Sequence, residues 1–124
     1  MSFDCIPIAK AKQIALYTNV RRARIATIAF LKNGKIITSA YNRRVDGRHW
    51  EWTEHAEVGI LNKLNKLCAF QRYSDINILV IRIFRKTKKL GMAKPCPCCR
   101  KKLNKYPINS IWYSDENGKI RKLK

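Results

Sequence analysis

Two short segments of the chain combine residue types that bind metal and move protons. Residues 55–57 are His-Ala-Glu, and residues 95–99 are Pro-Cys-Pro-Cys-Cys. Cys96 and Cys99 are three residues apart, so at the start of a helix both sulfur atoms can face the same side. The helix dipole there favours the thiolates that bind metal. Together with His55 they supply three zinc ligands, and a fourth position left to water is typical of catalytic zinc.

Glu57 follows His55 by two residues and is expected to stand beside the metal without binding it. A carboxylate in that place can take a proton from water and pass it to a substrate. The pattern H-x-E followed by P-C-x-x-C is typical of zinc enzymes that deaminate nucleobases. It therefore predicts Zn²⁺ as cofactor and hydrolytic deamination, of cytosine to uracil or of adenine to hypoxanthine.

A structural zinc site with four protein ligands is the alternative, and His49 or Cys98 would then supply the fourth ligand. Cys98 is adjacent to Cys99, so binding of both sulfur atoms to one ion would be strained. We expect Cys98 to pack near the site and His49 to lie in a loop near the substrate. Cys5 and Cys68 are expected to be buried as small apolar residues.

The hydrophobic pattern predicts the elements that position these segments. In chain order they are a helix over 7–21, strands over 23–31 and 35–41 joined at Asn33-Gly34, a loop over 42–52, a helix over 54–70 capped by Thr53, a strand over 76–84, a basic loop over 85–94, a helix from about Cys96 to before Pro107, and strands over 109–114 and 119–124. This order predicts one domain over residues 1–124, an α/β protein of three layers (α/β/α) with a five-stranded mixed sheet. Four residues between the last two strands are too few for a parallel crossover, so we predict an antiparallel hairpin.

Positive charge is the second strong feature of the sequence. There are 27 Lys and Arg residues against 8 Asp and Glu, giving a net charge of +19. Such a charge is expected to attract a polyanion, with nucleic acid first, nucleotides second and an anionic membrane surface third. We expect a cytoplasmic protein with no membrane span, because the sequence has no long apolar run and no charged leader followed by an apolar stretch.

Two loops are predicted to frame the mouth of the site. The loop over 42–52 ends before His55 and interleaves arginines with Trp50 and Trp52, which suits base stacking and phosphate attraction. The alternatives are tryptophans that pack on the core or on a partner subunit, and basic loops that are merely solvated. The basic loop over 85–94 is expected to attract nucleic acid through these side chains: Arg85, Lys86, Lys88, Lys89 and Lys94. The segment 21–24 and the tail 119–124 are expected to extend this basic track.

On these residues the chain resembles the cytidine and deoxycytidylate deaminase superfamily over nearly its whole length. The match at "HAE" and "PCPCC" implies zinc on His55, Cys96 and Cys99, with Glu57 as proton shuttle. The segment "AYNRR" (40–44) is similar to the one in which the superfamily places an asparagine that contacts the sugar or base. The resemblance thus implies a substrate contact from Asn42. We also expect substrate contacts from the loop and from neighbours of the metal ligands: Arg43, Arg44, Trp50, Trp52, Ala56 and Pro95.

The resemblance also narrows the expected substrate. A final antiparallel hairpin is the arrangement of nucleoside cytidine deaminases and of some viral and toxin relatives, which favours cytosine. A net charge of +19 exceeds what a free nucleotide needs, so we expect cytosine in single-stranded DNA or RNA. Free cytidine or deoxycytidylate is the first alternative, followed by adenosine in RNA and by a noncatalytic basic zinc module. Small nucleoside deaminases often assemble as oligomers, so a homo-oligomer is also expected.

Overall fold

The structure is a computed structural model that describes residues 6–17, 24–44, 53–84 and 86–124. Its elements are α1 (Ile8–Ala15), β1 (Arg24–Phe30), β2 (Ile36–Tyr41), β3 (Arg43–Arg44), β4 (Thr53–Glu54), α2 (Ala56–Lys66), α3 (Ala69–Arg72), β5 (Asn77–Ile83), β6 (Leu90–Gly91), α4 (Pro97–Leu103), β7 (Ser110–Ser114) and β8 (Ile120–Lys122). Among the described residues, no helix is long and apolar enough to cross a lipid bilayer.

The central sheet is mixed and runs in the order β2-β1-β5-β7-β8. β1 pairs antiparallel with β2 and β5, whereas β5 and β7 are parallel. β7 and β8 form an antiparallel hairpin in which Tyr113 lies opposite Arg121. The predicted five-stranded sheet and its terminal hairpin are confirmed. The short β6 is an addition to that prediction, since it pairs with the end of β5 and lies in the segment 85–94 that was predicted to be a loop.

Helices cover the sheet on both faces, as the burial of the side chains of β5 shows. Its side chains alternate, so Ile78 and Val80 pack in the core beneath α2, α3 and α4, while Leu79 and Ile81 pack in the core beneath α1. All four side chains are fully buried, as expected for a strand covered on both sides. The predicted three-layer arrangement is confirmed.

The helix predicted over 54–70 begins and ends differently in the structure. Its N-cap is His55 rather than Thr53, because Thr53 belongs to β4, which pairs with β3. α2 ends at Lys66, and Cys68 adopts a left-handed conformation (φ 53°) that separates it from α3. The prediction that Cys68 is buried on the apolar face was wrong: the thiol is exposed, because this turn breaks the helical period.

The first helix is shorter than predicted, ending at Ala15 instead of residue 21. Arg24 is the first residue of β1 and is buried. Its Nη1 donates a hydrogen bond to the carbonyl oxygen of Leu16 at 3.0 Å. Arg24 thus links the end of α1 to the sheet, and its expected place in an exposed basic track was wrong. Residues 21–23 of that track lie outside the described residues.

Asp115 organises the turn between β7 and β8. Its Oδ1 accepts hydrogen bonds from the backbone N–H groups of Asn117 and Lys119, both at 2.9 Å. Its Oδ2 accepts one from Nε of Arg121 at 2.8 Å. The bond from Arg121, followed by that from Lys119, holds the pKa of Asp115 below its ordinary value. The carboxylate is therefore more stable as an anion in the folded protein than in the unfolded chain.

Asp115→Asn is expected to lower the free energy of unfolding at pH 7. Because the folded-state pKa is depressed, the contribution of Asp115 is complete above the ordinary carboxyl pKa of about 3.9 and is lost as the pH falls through the depressed value. Urea unfolding at several pH values should show a difference from the wild type that narrows toward low pH. Glu116→Gln, at an exposed position of the same turn, is the control. A difference that does not change with pH would contradict this interpretation.

Candidate metal centre and active site

Two helix N-termini supply the metal-binding side chains. His55 is the N-cap of α2 and Cys96 the N-cap of α4, both with extended backbone conformation. Pro97 occupies the first turn of α4, where its fixed φ suits the helix and its missing N–H has no intrahelical partner to lose. Cys99 follows in the same turn. All three side chains thus lie at the N-terminal ends of two packed helices, and Pro97 favours the start of α4 at this point.

The ligand atoms of His55, Cys96 and Cys99 all lie within 4.8 Å of one another. Nδ1 of His55 is 3.3 Å from Sγ of Cys99. Nitrogen and sulfur ligands of a tetrahedral zinc ion with usual bond lengths lie about 3.6 Å apart. One nitrogen and two sulfur donors at this spacing fit a zinc ion, with Nδ1 as the ligand nitrogen. His55 and Cys96 are exposed while Cys99 is 3% exposed, so the cluster opens to solvent on one side.

Glu57 lies in the first turn of α2 and is only 6% exposed. Burial raises the pKa of Glu57, against the lowering effects of a hydrogen bond to its own backbone, of His55 and of a hydrogen bond with the Cys99 thiol. Burial, followed by the neighbouring Glu57, also raises the pKa of Cys99. A cation held by the cluster would offset the cost of ionising both groups. The structure thus brings the predicted proton carrier against the predicted ligand set.

Thr27 is a buried positioning residue that the sequence analysis missed. Its Oγ1 donates a hydrogen bond to the carbonyl oxygen of Ala56 at 2.9 Å, which fixes the first turn of α2 against β1. The available signal was a hydroxyl side chain in the middle of an otherwise apolar strand. Ala56 itself is buried, as is Pro95 before the first cysteine of the cluster. Their contacts with substrate remain predictions.

Asn42 serves the fold with part of its side chain. Its side-chain Oδ1 accepts a hydrogen bond from the backbone N–H of Ile25 at 3.0 Å. The backbone N–H of Asn42 donates to the carbonyl oxygen of Ile25 at the same distance. Arg43 and Arg44 form β3, which pairs with β4 directly before His55. The predicted contacts of His49, Trp50 and Trp52 lie outside the described residues.

Cys98 is exposed and is not a member of the His55, Cys96 and Cys99 cluster. The segment predicted as a basic loop is not one continuous loop, because its described residues, 86–94, include a turn followed by β6. The turn is closed by hydrogen bonds from Phe84 N–H to the Lys89 carbonyl oxygen (2.9 Å) and from Lys88 N–H to the Phe84 carbonyl oxygen (2.7 Å). Four of the five basic residues predicted to attract nucleic acid are exposed: Lys86, Lys88, Lys89 and Lys94. Arg85 lies outside the described residues.

Comparison with solved structures identifies the fold. The dCMP deaminase of cyanophage S-TIM5 is 22% identical, covers 88% of this chain and 79% of its own, and has a TM-score of 0.64. The cytidine deaminase of Burkholderia pseudomallei is 17% identical over 100% and 93% of the two chains, with a TM-score of 0.67. That of Mycobacterium leprae is 12% identical over 98% and 93%, with a TM-score of 0.61.

No protein-family model matches the sequence, and no curated protein matches it. The chain nevertheless has the fold of the cytidine and deoxycytidylate deaminases along almost its full length. The resemblance inferred from "HAE" and "PCPCC" is confirmed by this fold and by the clustering of one histidine and two cysteines at the expected helix ends.

Proposed function

We propose that the protein is a zinc-dependent deaminase that converts cytosine to uracil within single-stranded nucleic acid. One observation carries the proposal: three zinc-type ligand atoms lie within 4.8 Å of one another, and the carboxyl group of Glu57 is buried against them. The cytidine deaminase fold supports pyrimidine chemistry at this place. The high positive charge supports a polyanionic substrate.

His55, Cys96 and Cys99 would hold the zinc ion. When bound, zinc supplies the Lewis acidity that lets water act as a nucleophile near neutral pH. A carboxylate oxygen of Glu57 accepts the proton of that water and delivers it to the ring nitrogen beside the amine-bearing carbon. Glu57 then carries the second proton of the same water to the departing amine, which leaves as ammonia when its bond to the ring carbon breaks. Water and cytosine thus give uracil and ammonia, while the low exposure of Glu57 keeps bulk water from competing for the protons.

Phe84 supports the choice of a nucleic acid substrate and was not singled out from the sequence. It follows the last residue of β5 and is 44% exposed. The Arg82 guanidinium carbon lies 5.2 Å from its ring centroid. A Cβ atom on Gly91 would lie 2.7 Å from Cε2 of Phe84, so the ring rests directly on the glycine backbone. An immobilised, accessible ring is well suited to base stacking.

Three exposed lysines follow this ring in the chain. Lys86, Lys88 and Lys89 lie on the turn that Phe84 opens. Lys88 has a positive φ of 58°, and its backbone N–H donates to the Phe84 carbonyl oxygen at 2.7 Å, so the backbone of this turn lies close to Phe84. Stacking surface with adjacent cations is the usual combination for single strands. The cluster of Phe84, Lys86, Lys88 and Lys89 is called the hairpin platform below.

Phe84→Ala is expected to weaken binding of a single-stranded oligonucleotide about tenfold, because one stacked base contributes roughly 1–3 kcal/mol. Fluorescence anisotropy of a labelled, cytosine-containing strand measures this effect. The matched control is Tyr17→Ala, which removes an aromatic ring that is 62% exposed beyond the end of α1. Equal losses in the two variants would show that the hairpin platform does not contact the strand.

Salt dependence provides the direct test of a polymeric substrate. Turnover of a single-stranded oligonucleotide at subsaturating concentration should fall steeply between about 50 and 200 mM salt, because binding releases condensed counterions. Turnover of free cytidine, measured in parallel, should change little. Equally weak salt dependence for both substrates, or turnover of the free compounds alone, would contradict the proposal.

A free nucleotide is the second candidate substrate. It is favoured by the fold comparison, since one similar structure is that of cyanophage S-TIM5 dCMP deaminase in complex with dCMP and dUMP. On this alternative the same zinc ligands and Glu57 would act on deoxycytidylate, and the basic surface would serve another purpose. Assembly as a homo-oligomer is part of either proposal.

A further inference from the structure

A cavity of about 370 Å³ lies at the end of the sheet where β5 and β7 begin. The metal cluster lies toward the other end, where Ala93 N–H, three residues before Cys96, donates to the carbonyl oxygen of Ser114, the last residue of β7. The cavity volume falls in the range of roughly 300–1,000 Å³ that is typical of small-molecule sites. Its lining consists of six residues outside the metal cluster: Lys32, Asp75, Asn109, Ser110, Trp112 and Lys122.

Two lining residues of this cavity, Asn109 and Ser110, are held by a hydrogen-bond network centred on the buried Asn77. Nδ2 of Asn77 donates to the carbonyl oxygens of Phe30 (3.2 Å) and Asp75 (2.7 Å). Its Oδ1 accepts from Nδ2 of Asn109 at 2.9 Å and from Oγ of Ser110. Asn77 is fully buried, so breaking any of these bonds would leave a polar group unsatisfied. The network holds the cavity in its present shape.

An aromatic ring forms one wall. Trp112 is half-buried against the core beneath α1, and its Nε1 donates to Oγ of Ser110 at 2.9 Å. The hydrogen bond ties the indole to this network. Nζ of Lys122 lies over the face of the Trp112 ring, 5.6 Å from its centroid. The wall therefore combines a fixed indole with a mobile cation above it.

The charge of the lining is net positive. Lys32 and Lys122 contribute two exposed ammonium groups, and Asp75 contributes one carboxylate. Oδ2 of Asp75 already accepts the backbone N–H of Lys32 at 3.0 Å, so this oxygen is committed to the loop that carries the lysine. Two cations flanking a fixed indole favour a ligand that is both aromatic and anionic.

We propose that this cavity binds a nucleotide whose phosphates lie between Lys32 and Lys122. The Lys122 ammonium would leave the Trp112 ring for the phosphates, and the base would take its place against the indole. The ligand would be a free nucleoside phosphate bound without chemical change, since the metal cluster and Glu57 lie elsewhere. The site does not depend on the deaminase activity proposed above, and either proposal can fail while the other stands.

Titration of the zinc-loaded full-length protein with ATP tests this site, because adenine is not the substrate proposed for the metal centre. The reporter is the indole N–H resonance of Trp112, assigned by its absence in Trp112→Phe. ATP should move it saturably, and adenosine or tripolyphosphate should bind about tenfold or more weakly, since each lacks one of the two contacts. Lys32→Ala and Lys122→Ala should each weaken ATP binding, whereas Lys105→Ala, an exposed residue beyond α4, should not.

Three results would overturn the proposal. A Trp112 resonance that does not respond to ATP would exclude a nucleotide at this place. Tripolyphosphate as effective as ATP, or equal effects of the Lys32 and Lys105 substitutions, would show that only general charge attracts the ligand. A shift that follows protein concentration instead of ATP concentration would identify this face as a contact between copies of the chain.

Discussion

Glu57→Gln is expected to reduce deamination by at least about a hundredfold while leaving zinc content and fold unchanged, because a positioned acid–base group contributes roughly 10²–10⁴ in rate. Glutamine has nearly the shape of glutamate and can still donate to or accept from its neighbours, but it cannot carry a proton. Glu57 supplies none of the three ligand atoms of the cluster. Loss of proton transfer in this variant can therefore be distinguished from loss of metal.

Turnover of a cytosine-containing substrate and zinc stoichiometry should be measured on the same preparation of the Glu57 variant. Glu116→Gln is a matched control, since it makes the same change at an exposed position in the turn after β7. That control should retain full activity. Loss of zinc together with activity in Glu57→Gln would assign Glu57 to the metal instead of to proton transfer.

Cys99→Ser is expected to release zinc, whereas the neighbouring Cys98→Ser is expected to retain it. Cys99 is 3% exposed and lies 3.3 Å from Nδ1 of His55, while Cys98 is exposed and outside the cluster. Loss of a ligand should weaken zinc binding by more than the roughly 10–100-fold typical of changes to outer partners of a metal site. Activity should disappear with the metal.

Competition with a chromogenic chelator measures this difference in affinity directly. The two cysteine variants carry the same substitution at adjacent positions, so each is the control for the other. Cys96→Ser should behave like Cys99→Ser, because Cys96 supplies the other sulfur of the cluster. Retention of zinc in Cys99→Ser and its loss in Cys98→Ser would make Cys98 the zinc ligand and contradict the argument from the spacing of Cys96 and Cys99.

The sheet and the metal cluster could be predicted from the sequence because both follow from short-range patterns. The apolar run at 76–84 is typical of a strand covered on both faces, and the short connection between the last two strands allows only an antiparallel hairpin; the structure has both. The spacing of Cys96 and Cys99 placed both in one helical turn. The packing of α2 against α4 brings His55 to these two cysteines.

Features that depend on tertiary contacts were not predictable in the same way. Cys68 looked like part of an apolar helix face until the left-handed turn at that residue ended the helix. Arg24 looked like part of a basic surface, but its guanidinium satisfies a carbonyl group at the end of α1. Phe84 ends the predicted strand over 76–84, and only the structure shows that its ring is exposed and lies against the backbone of Gly91.

The most direct test of the proposed function is mass spectrometry of a cytosine-containing single-stranded oligonucleotide incubated with the zinc-loaded protein. Reactions with cytidine, deoxycytidylate and an oligonucleotide that carries adenine as its only amine-bearing base run in parallel. We predict conversion of cytosine to uracil in the single strand, faster than in the free compounds, and no change in the adenine strand. Absence of uracil from every cytosine-containing reaction, with zinc bound and the fold intact, would contradict the proposed activity.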